Sequence, residues 1–456
     1  MSQLSSEQVS APVEQAAARI SREAVEALSR RKAEPPALLR RRLAAWEAYA
    51  QIPMPTNRDE EWRRTDIRAL KLDQVEPLSG EAEAVASLDR LPAELRGVLA
   101  DEGGRAGLLV QRNGSVVYRE LDPDLAARGV LLMDLERAAR RHPDLFERCF
   151  MAEAVRPGDE KFAALHAAFW TGGTLLYVPR GVKIDLPIQS VFWGDSSAAL
   201  FPHTLVVAEP ESEVTYVDQH ASLNGAADGQ SFASGVVEIL ARPGARVQYV
   251  GLQQWASDVW SFGSQRAVVE RDATVDSLVA AFGGRLSKAR VQTALRGPGA
   301  RSKMLGLLFG TDRQHFDFHT LQDHAAPSTT SELLYKGALK GAARSVFSGL
   351  IKARREAQKT DAVQTNRNLL LSDRCRADSL PNLEIEANDL RCTHAAAVAP
   401  VDEEQLFYLQ ARGLSRPEAT RLIVEGFFEP LLEQIPLPGI RERIRATVAA
   451  KVESGG

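Results

Sequence analysis

The sequence of 456 residues lacks the short motifs that mark the common nucleotide-binding and hydrolytic enzymes. It contains no Gly-x-x-x-x-Gly-Lys-Ser/Thr loop, no His-Glu-x-x-His pair, no Gly-x-Gly-x-x-Gly and no Gly-x-Ser-x-Gly elbow. A phosphate cradle needs consecutive backbone amides in a glycine-rich loop ahead of a helix. We therefore expect that this chain binds no nucleotide.

Long apolar runs and cysteines are also scarce. No stretch approaches the roughly 18 to 20 consecutive apolar residues of a membrane helix, and Met1 to Ser10 is polar, so we expect a cytoplasmic protein without a membrane partner. The three cysteines, Cys149, Cys375 and Cys392, are too few for a disulfide framework and indicate free thiols. With 56 basic and 60 acidic residues, the net charge of −4 does not favour a nucleic-acid partner.

The composition is that of a globular protein, and the sequence divides into three parts. Val13 to Lys32 and a second run that opens at Pro36 have helical composition, and they predict an outlying helical hairpin. Asn113-Gly114 between two apolar runs predicts a β-hairpin, because a type I′ turn needs positive φ at both central residues. From Gly172 to about His394, short Val, Leu, Ile and Tyr runs alternate with Gly, Pro and Asp, which indicates an all-β region.

A strand, tight turn, strand unit recurs in this β region. The turns at Ser212, Ala245, Ala273 and Ala300 are separated by intervals of 33, 28 and 27 residues. A loose period of this length favours a β-solenoid. A β-sandwich or a propeller also places turns at such intervals, so both alternatives stay open on spacing alone.

The C-terminal part returns to helical patterns. A helix should begin near Asp402 and end before Gly413, and Ser415 with Glu418 forms a capping box for the next helix. The large apolar side chains between Ile423 and Leu432 exceed what a short terminal bundle hides easily, which indicates a partner surface.

Two groups of residues could hold a metal. Cys392 and His394 point to one face if their segment is extended, and a thiolate and an imidazole on one face can bind iron. A buried cysteine and a hydrogen-bonded histidine explain the same pattern. His315, Asp317 and His319 would share a strand face in the same way, and a polar exposed strand is the alternative there.

Several longer stretches resemble the SufB/SufD family of iron–sulfur cluster assembly proteins. The sequence ALHAAFWTGG at Ala164 to Gly173 is followed by YVPRGV at Tyr177 to Val182 and DLPIQ at Asp185 to Gln189. Asp402 to Gly413 contributes DEEQLFYLQARG. The resemblance covers roughly residues 160 to 435.

The resemblance implies a right-handed parallel β-helix core with N-terminal and C-terminal helical domains. We divide the chain accordingly into residues 1–160, a helical region with a small β-hairpin, 161–398, the β-helix core, and 399–456, the C-terminal helical domain. It further implies a non-catalytic scaffold subunit. Such a subunit pairs with a SufB-like paralogue as a heterodimer through the core and docks a SufC-like ATPase through the C-terminal helices.

The resemblance also implies the site. An iron–sulfur cluster would be held transiently and shared at the subunit interface, with His394 as the leading ligand and Cys392 and Cys375 as further ligands. Glu60 to Asp66 and Arg391 to His394 resemble the SufD branch. Cys375, however, stands where many SufB proteins carry a cluster-site cysteine.

Two other functions stay open. Parallel β-helices also host carbohydrate-active enzymes, which need a pair of converging carboxylates. Asp276, Asp317 and Asp323 are the suggestive acids, and no spacing pairs them. A structural solenoid without any cluster is the third possibility.

Overall fold

The computed structural model describes residues 19–77, 83–91, 96, 99, 104–195, 198–222 and 229–453. Its α-helices are α1 (Arg22–Arg31), α2 (Pro36–Gln51), α3 (Pro123–Ala127), α4 (Leu135–Arg141), α5 (Pro143–Cys149), α6 (Lys161–Phe169), α7 (Glu403–Gln410), α8 (Arg416–Leu432) and α9 (Pro438–Glu453). Its strands are β1 (Glu76–Pro77), β2 (Gly107–Arg112), β3 (Ser115–Leu121), β4 (Leu131–Asp134), β5 (Thr174–Val178), β6 (Ile188–Gly194), β7 (Ala198–Leu200), β8 (His203–Ala208), β9 (Glu213–Ser222), β10 (Ser231–Ala241), β11 (Arg246–Gln254), β12 (Val259–Val269), β13 (Thr274–Ala281), β14 (Leu286–Leu295), β15 (Arg301–Gly310), β16 (His315–His324), β17 (Thr330–Leu339), β18 (Arg344–Ala353), β19 (Thr360–Leu370), β20 (Arg376–Ile385) and β21 (Leu390–Pro400).

From β8 to β21, alternate strands of the chain pair in parallel and build two sheets, to which the antiparallel pairs β2–β3 and β4–β5 are added. Sheet A has the order β20-β18-β16-β14-β12-β10-β8-β5-β4, and sheet B has the order β21-β19-β17-β15-β13-β11-β9-β6-β2-β3. Because each coil gives one strand to each sheet, the core is a β-solenoid of about eight turns. This confirms the solenoid prediction and excludes the sandwich and the propeller.

The register of sheet B explains the repeat seen in the sequence. Glu213 aligns with Arg246, Arg246 with Thr274, and Thr274 with Arg301, which reproduces the offsets of 33, 28 and 27 residues. Each tight turn is a corner that passes the chain from sheet A to sheet B. The sequence interval is therefore the length of one coil.

The corners stack because each contains a residue in the left-handed backbone conformation. Glu211, Gly244, Asp272, Gly299 and Ser328 have φ angles of +63°, +71°, +57°, +73° and +57°. The amide of each donates to a carbonyl of the following coil, as Gly244 does to Arg271 at 2.9 Å. The corner thus supplies hydrogen bonds where the two sheets would otherwise leave backbone groups unpaired.

The predicted hairpin is confirmed. β2 and β3 are antiparallel, and Asn113 and Gly114 between them have φ angles of +51° and +86°. β2 also pairs in parallel with β6. The sheets of the solenoid therefore already include residues that precede the boundary predicted at residue 161.

The N-terminal helices pack on the rest of the chain, so the prediction of an outlying hairpin is wrong. Residues 13–18 of the predicted first helix lie outside the described residues, and α1 begins at Arg22. On α2, the fully buried guanidinium of Arg42 donates to the Glu34 carboxylate at 2.7 Å and to the Ala168 carbonyl at 3.0 Å. An arginine can be buried here because its donors meet acceptors.

The C-terminal helices lie along the outer face of sheet B. The capping box of Ser415 and Glu418 is confirmed at the start of α8. Val424 and Phe428 of α8 are buried in one cluster with Leu305 and Phe309 of β15, and further core members come from α9. The apolar side chains assigned to a partner surface are thus largely used within the chain, which corrects that interpretation.

At the C-terminal end of the solenoid each sheet ends in an edge strand, which pairs with one neighbour only among the described residues. β20 is the last strand of sheet A and β21 the last strand of sheet B. The large apolar side chains of Leu383, Ile385 and Val398 are exposed there. We call this end, formed by β20 and β21, the open end.

Candidate functional site

Cys392 and His394 lie on β21 at the open end. In the parallel register, Cys392 aligns with Ala362 and His394 with Gln364 of β19. Ala362 and Gln364 are both buried inside the solenoid. Since aligned residues of parallel strands face the same side, Cys392 and His394 point into the mouth of the solenoid interior. His394 is exposed and Cys392 is half-buried.

Burial affects both cysteines assigned to the cluster. It raises the pKa of the Cys392 thiol, and the neighbouring charge of Asp361 acts in the same direction. Burial also raises the pKa of Cys375, whose Sγ lies 3.6 Å from the Gly341 carbonyl oxygen. Both thiols are therefore protonated at neutral pH, and metal binding to either would release a proton.

The structure separates Cys375 from the other two residues. Cys375 lies at the corner that precedes β20, whereas Cys392 lies beyond the far end of β20, at the start of β21. The ten residues of β20 span about 33 Å in extended form. The described part of the chain contains no group of three His, Cys, Asp or Glu side chains arranged to hold a metal. The ligand roles stay predictions.

Polar side chains line the solenoid interior beneath His394. Gln364, Asn366 and Asn368 alternate along the buried face of β19. Asn366 Oδ1 accepts hydrogen bonds from Asn368 Nδ2 at 2.8 Å and from Ser379 Oγ at 2.7 Å. Gln364 is only 1% exposed, and neither amide atom has a hydrogen-bond partner among the described residues. Sequence analysis missed this layer, although amides at every second residue of a strand are its signal.

The prediction of a metal site at His315, Asp317 and His319 is wrong. The ammonium group of Lys288 lies where the metal ion would be. Lys288 Nζ lies 2.6 Å from Asp317 Oδ2 and 3.0 Å from His319 Nε2, and 4.6 Å from the ring centre of Trp62. Burial alone would raise the pKa of Asp317, but the hydrogen bond from His319 and the charge of Lys288 hold it well below its usual range. The cluster is a buried ion network.

The charged segment of residues 60–66 crosses this network. Its Trp62 is buried, the Glu61 carbonyl accepts from Lys288 Nζ at 2.9 Å, and the Thr65 hydroxyl donates to the Asp317 carboxylate. We call residues 60–66 the strap. The strap joins the N-terminal region to the outer face of sheet A.

A carboxylate lies inside the solenoid on β9, toward the N-terminal end of sheet B. Asp218 accepts hydrogen bonds from Ser190 and Thr204, both at 2.7 Å, and from Tyr249 at 3.1 Å. His220 Nε2 lies 3.3 Å from Asp218 Oδ1, the oxygen that also accepts from Ser190. His220 thus pairs with a buried acid inside the solenoid.

A second row of buried polar side chains links α6 to sheet A. The sequence analysis did not predict it. His166 Nδ1 lies 2.7 Å from the Ser234 carbonyl, and its Nε2 lies 2.9 Å from His203 Nδ1. His203 Nε2 in turn lies 3.2 Å from Glu238 Oε1. Burial raises the pKa of Glu238 to about 8 and lowers those of both histidines. We call His166, His203 and Glu238 the buried triad.

Two family models match the chain. The model of the SufBD protein N-terminal region matches residues 105–190, and the model described as "SUF system FeS cluster assembly, SufBD core domain" matches residues 191–427. The core match alone covers more than half of the 456 residues. The chain belongs to the SufB/SufD family.

Named relatives of the SufB/SufD family are similar over nearly the whole chain. The iron–sulfur cluster assembly protein SufB of Bacillus subtilis is 32% identical over 92% of this chain and 90% of its own. SufD of the same organism is 31% identical over 95% and 98%. A SufBD family protein of Staphylococcus epidermidis is 30% identical over 90% and 88%. These identities do not separate the SufB and SufD branches, so the SufD assignment stays a prediction.

The three acids named for a carbohydrate-active enzyme lie apart from one another. Asp317 is paired with Lys288, and Asp323 accepts from Arg354 at 2.8 and 2.9 Å, while Asp276 lies on the other sheet. The three acids thus provide no converging pair for a carbohydrate-active enzyme. Within the described ranges, no helix is long and apolar enough to cross a membrane.

Proposed function

We propose that this SufB/SufD family member is a non-catalytic scaffold subunit on which an iron–sulfur cluster is assembled at the open end. The observation that carries the proposal is the placement of Cys392 and His394 on the inner face of β21, the edge strand of sheet B. Iron–sulfur clusters usually take four protein ligands. Because this chain offers only two candidate ligands at the open end, we infer that a partner supplies the others and that the cluster is passed on after assembly.

The open end supports a partner of similar architecture. Unpaired edge strands present rows of free N–H and C=O groups that pair readily with another strand. On β20 and β21 these edges carry exposed Leu383, Ile385 and Val398, which lose water contact when covered. A SufB-like paralogue with its own open end would continue both sheets and bring further ligands to His394.

Exposed aromatic residues support a second partner at the C-terminal helices. Phe407 and Tyr408 of α7 are 74% and 56% exposed, and Leu422 of α8 is also exposed. Arg412 lies over the Tyr408 ring at 3.6 Å. Aromatic residues with a nearby arginine are typical of interaction hot spots. We infer that α7 and α8 dock a SufC-like ATPase, which supplies the nucleotide chemistry that this chain's sequence does not indicate.

Anaerobic reconstitution tests the site. The purified complex is treated with iron and sulfide, and cluster yield per folded molecule is read from visible absorption. We expect His394→Ala to lose most of the yield, because alanine offers no lone pair to iron. Thr393→Ala, on the opposite face of the same strand, is the matched control and should retain it. Normal yield in His394→Ala would refute the ligand role.

Capture of the tagged chain from its own cytosol tests the partners. We expect a SufB-like protein and a SufC-like ATPase to be retained together. Recovery of neither protein would overturn the scaffold proposal and favour a structural solenoid without a cluster.

A further inference from the structure

The side chain of Gln364 has a buried amide whose hydrogen-bonding capacity is not used. Neither Oε1 nor Nε2 has a partner among the described residues, although the side chain is almost fully buried. Nearly all buried polar groups in proteins are hydrogen-bonded, so such an exception needs a physical reason. The neighbouring Asn366 and Asn368 are paired with each other. Among the three amides on the buried face of β19, only Gln364 is therefore without a partner.

Three neighbours of this amide follow from the register and the packing. On one side, Gln364 aligns with Leu333 of β17, which offers no polar atom. Across the interior lies Gly349 of β18, so close that a Cβ there would come within 2.4 Å of Gln364 Nε2. On the other side, Gln364 aligns with His394 of β21. The imidazole of His394 is the polar side chain aligned next to the amide.

Register and spacing bring the two groups within reach. Neighbouring strands of a sheet lie about 4.8 Å apart, and aligned side chains on one face stack over each other. Glutamine ladders form in this way along stacked strands. The side-chain carbonyl of Gln364 can therefore accept a hydrogen bond from a ring N–H of His394.

We propose that Gln364 is a positioning residue for His394. Its Oε1 accepts the proton of one ring nitrogen and so directs the lone pair of the other nitrogen toward iron. Metal-binding histidines almost always donate their second ring N–H to such an acceptor, which fixes the tautomer and the ring orientation. The proposal rests on the ligand role of His394 stated above. It also explains the glycine at position 349, because any side chain there would displace the amide of Gln364.

Anaerobic titration of the full-length chain in its complex with Fe²⁺ is the first test. We expect Gln364→Leu to weaken iron binding by 10- to 100-fold, the usual loss when such an acceptor is removed. Gln364→Glu keeps an acceptor oxygen and should retain binding close to that of the wild type. Gly349→Ala, which displaces the amide without removing it, should weaken binding in the same direction as Gln364→Leu.

Nitrogen-15 NMR of the labelled histidines, without metal, is the second test. In the wild-type complex the shifts of His394 should show one dominant neutral tautomer, and in Gln364→Leu a mixture. The melting temperature of Gln364→Leu should not fall, because the exposed ring of His394 can donate to water instead and the variant also removes the buried Nε2, which has no partner among the described residues. A merely structural role of Gln364 would lower the melting temperature and leave the tautomer unchanged.

The outcomes separate this inference from the proposed function. If His394→Ala loses iron binding and Gln364→Leu keeps both the affinity and the tautomer, the positioning role is refuted and the ligand role stands. If His394→Ala binds iron as the wild type does, the ligand role itself fails, and with it the purpose assigned to Gln364.

Discussion

Lys288 and Asp317 are aligned residues of β14 and β16, one coil apart, and form an ion pair of 2.6 Å that is almost fully buried on the outer face of sheet A. The strap covers the pair and supplies Trp62 above the ammonium group. Charges are rarely buried unless they are paired, because desolvation is costly. Docking of the strap therefore depends on Lys288 and Asp317, which are far apart in the sequence and meet only through the strand register.

Removal of the ammonium group should be strongly destabilising. Lys288→Met leaves the Asp317 carboxylate buried without its partner, and breaking such a pair costs about 3 to 5 kcal/mol. We expect this loss in urea unfolding, together with faster tryptic cleavage at Arg63 and Arg64 in the strap. Lys303→Met, on a half-exposed lysine of sheet B, is the control. A change within 1 kcal/mol of wild type would show that the strap docks without the ion pair.

The buried triad should give stability a pH dependence. In the folded state Glu238 holds a proton up to a pKa of about 8, whereas its ordinary value is 4.5. Between these values the folded state binds more protons at Glu238 than the unfolded state, so its contribution to stability falls as pH rises. His166 and His203, whose pKa values are lowered, act oppositely below their ordinary value of 6.5. The net contribution of the triad should therefore be largest near pH 6.5.

Glu238→Gln isolates the carboxyl group. The stability of this variant relative to wild type should increase by about 1.4 kcal/mol per pH unit between pH 4.5 and 8, because one proton is no longer linked to folding. The slope, measured by urea unfolding at several pH values, is independent of any fixed cost of the substitution. Parallel curves for the two proteins would mean that Glu238 is ionised in the fold.

Charge at the open end should prevent pairing with the paralogue. Val398→Lys places an ammonium group on the inner face of β21, where a paired strand would have to desolvate it. Val363→Lys is a matched control, because Val363 of β19 has a similar exposure, 39% against 42%, but lies on the outer face. We expect light scattering to show loss of the heterodimer for Val398→Lys alone. Equal loss in both variants would argue against the open end as the interface.

The exposed aromatic residues allow the ATPase dock to be tested without deleting the helices. Deletion from residue 402 onward would uncover Leu305 and Phe309 of sheet B, so we expect that truncation to aggregate. Phe407→Ala with Tyr408→Ala should keep the melting temperature and lose ATPase capture. Gln405→Ala, also exposed on α7, should keep both. Undiminished capture by the double variant would place the dock elsewhere.

The sequence by itself favoured the solenoid and located its corners. Corners need residues that tolerate positive φ, strands need alternating apolar residues, and both requirements are local, so the intervals between Ser212, Ala245, Ala273 and Ala300 already measured the coils. The hairpin at Asn113 and the capping box at Ser415 were readable for the same reason.

Only the tertiary structure decided which residues meet across coils. Coil lengths vary between 33 and 27 residues, so sequence spacing does not say which side chain aligns with which. Register alone placed Lys288 against Asp317 and Gln364 beneath His394, and it left Cys375 a strand length away from Cys392. The path of the C-terminal helices along sheet B likewise depends on an apolar face that many coils build together, because no single coil contains enough of that face to be recognised.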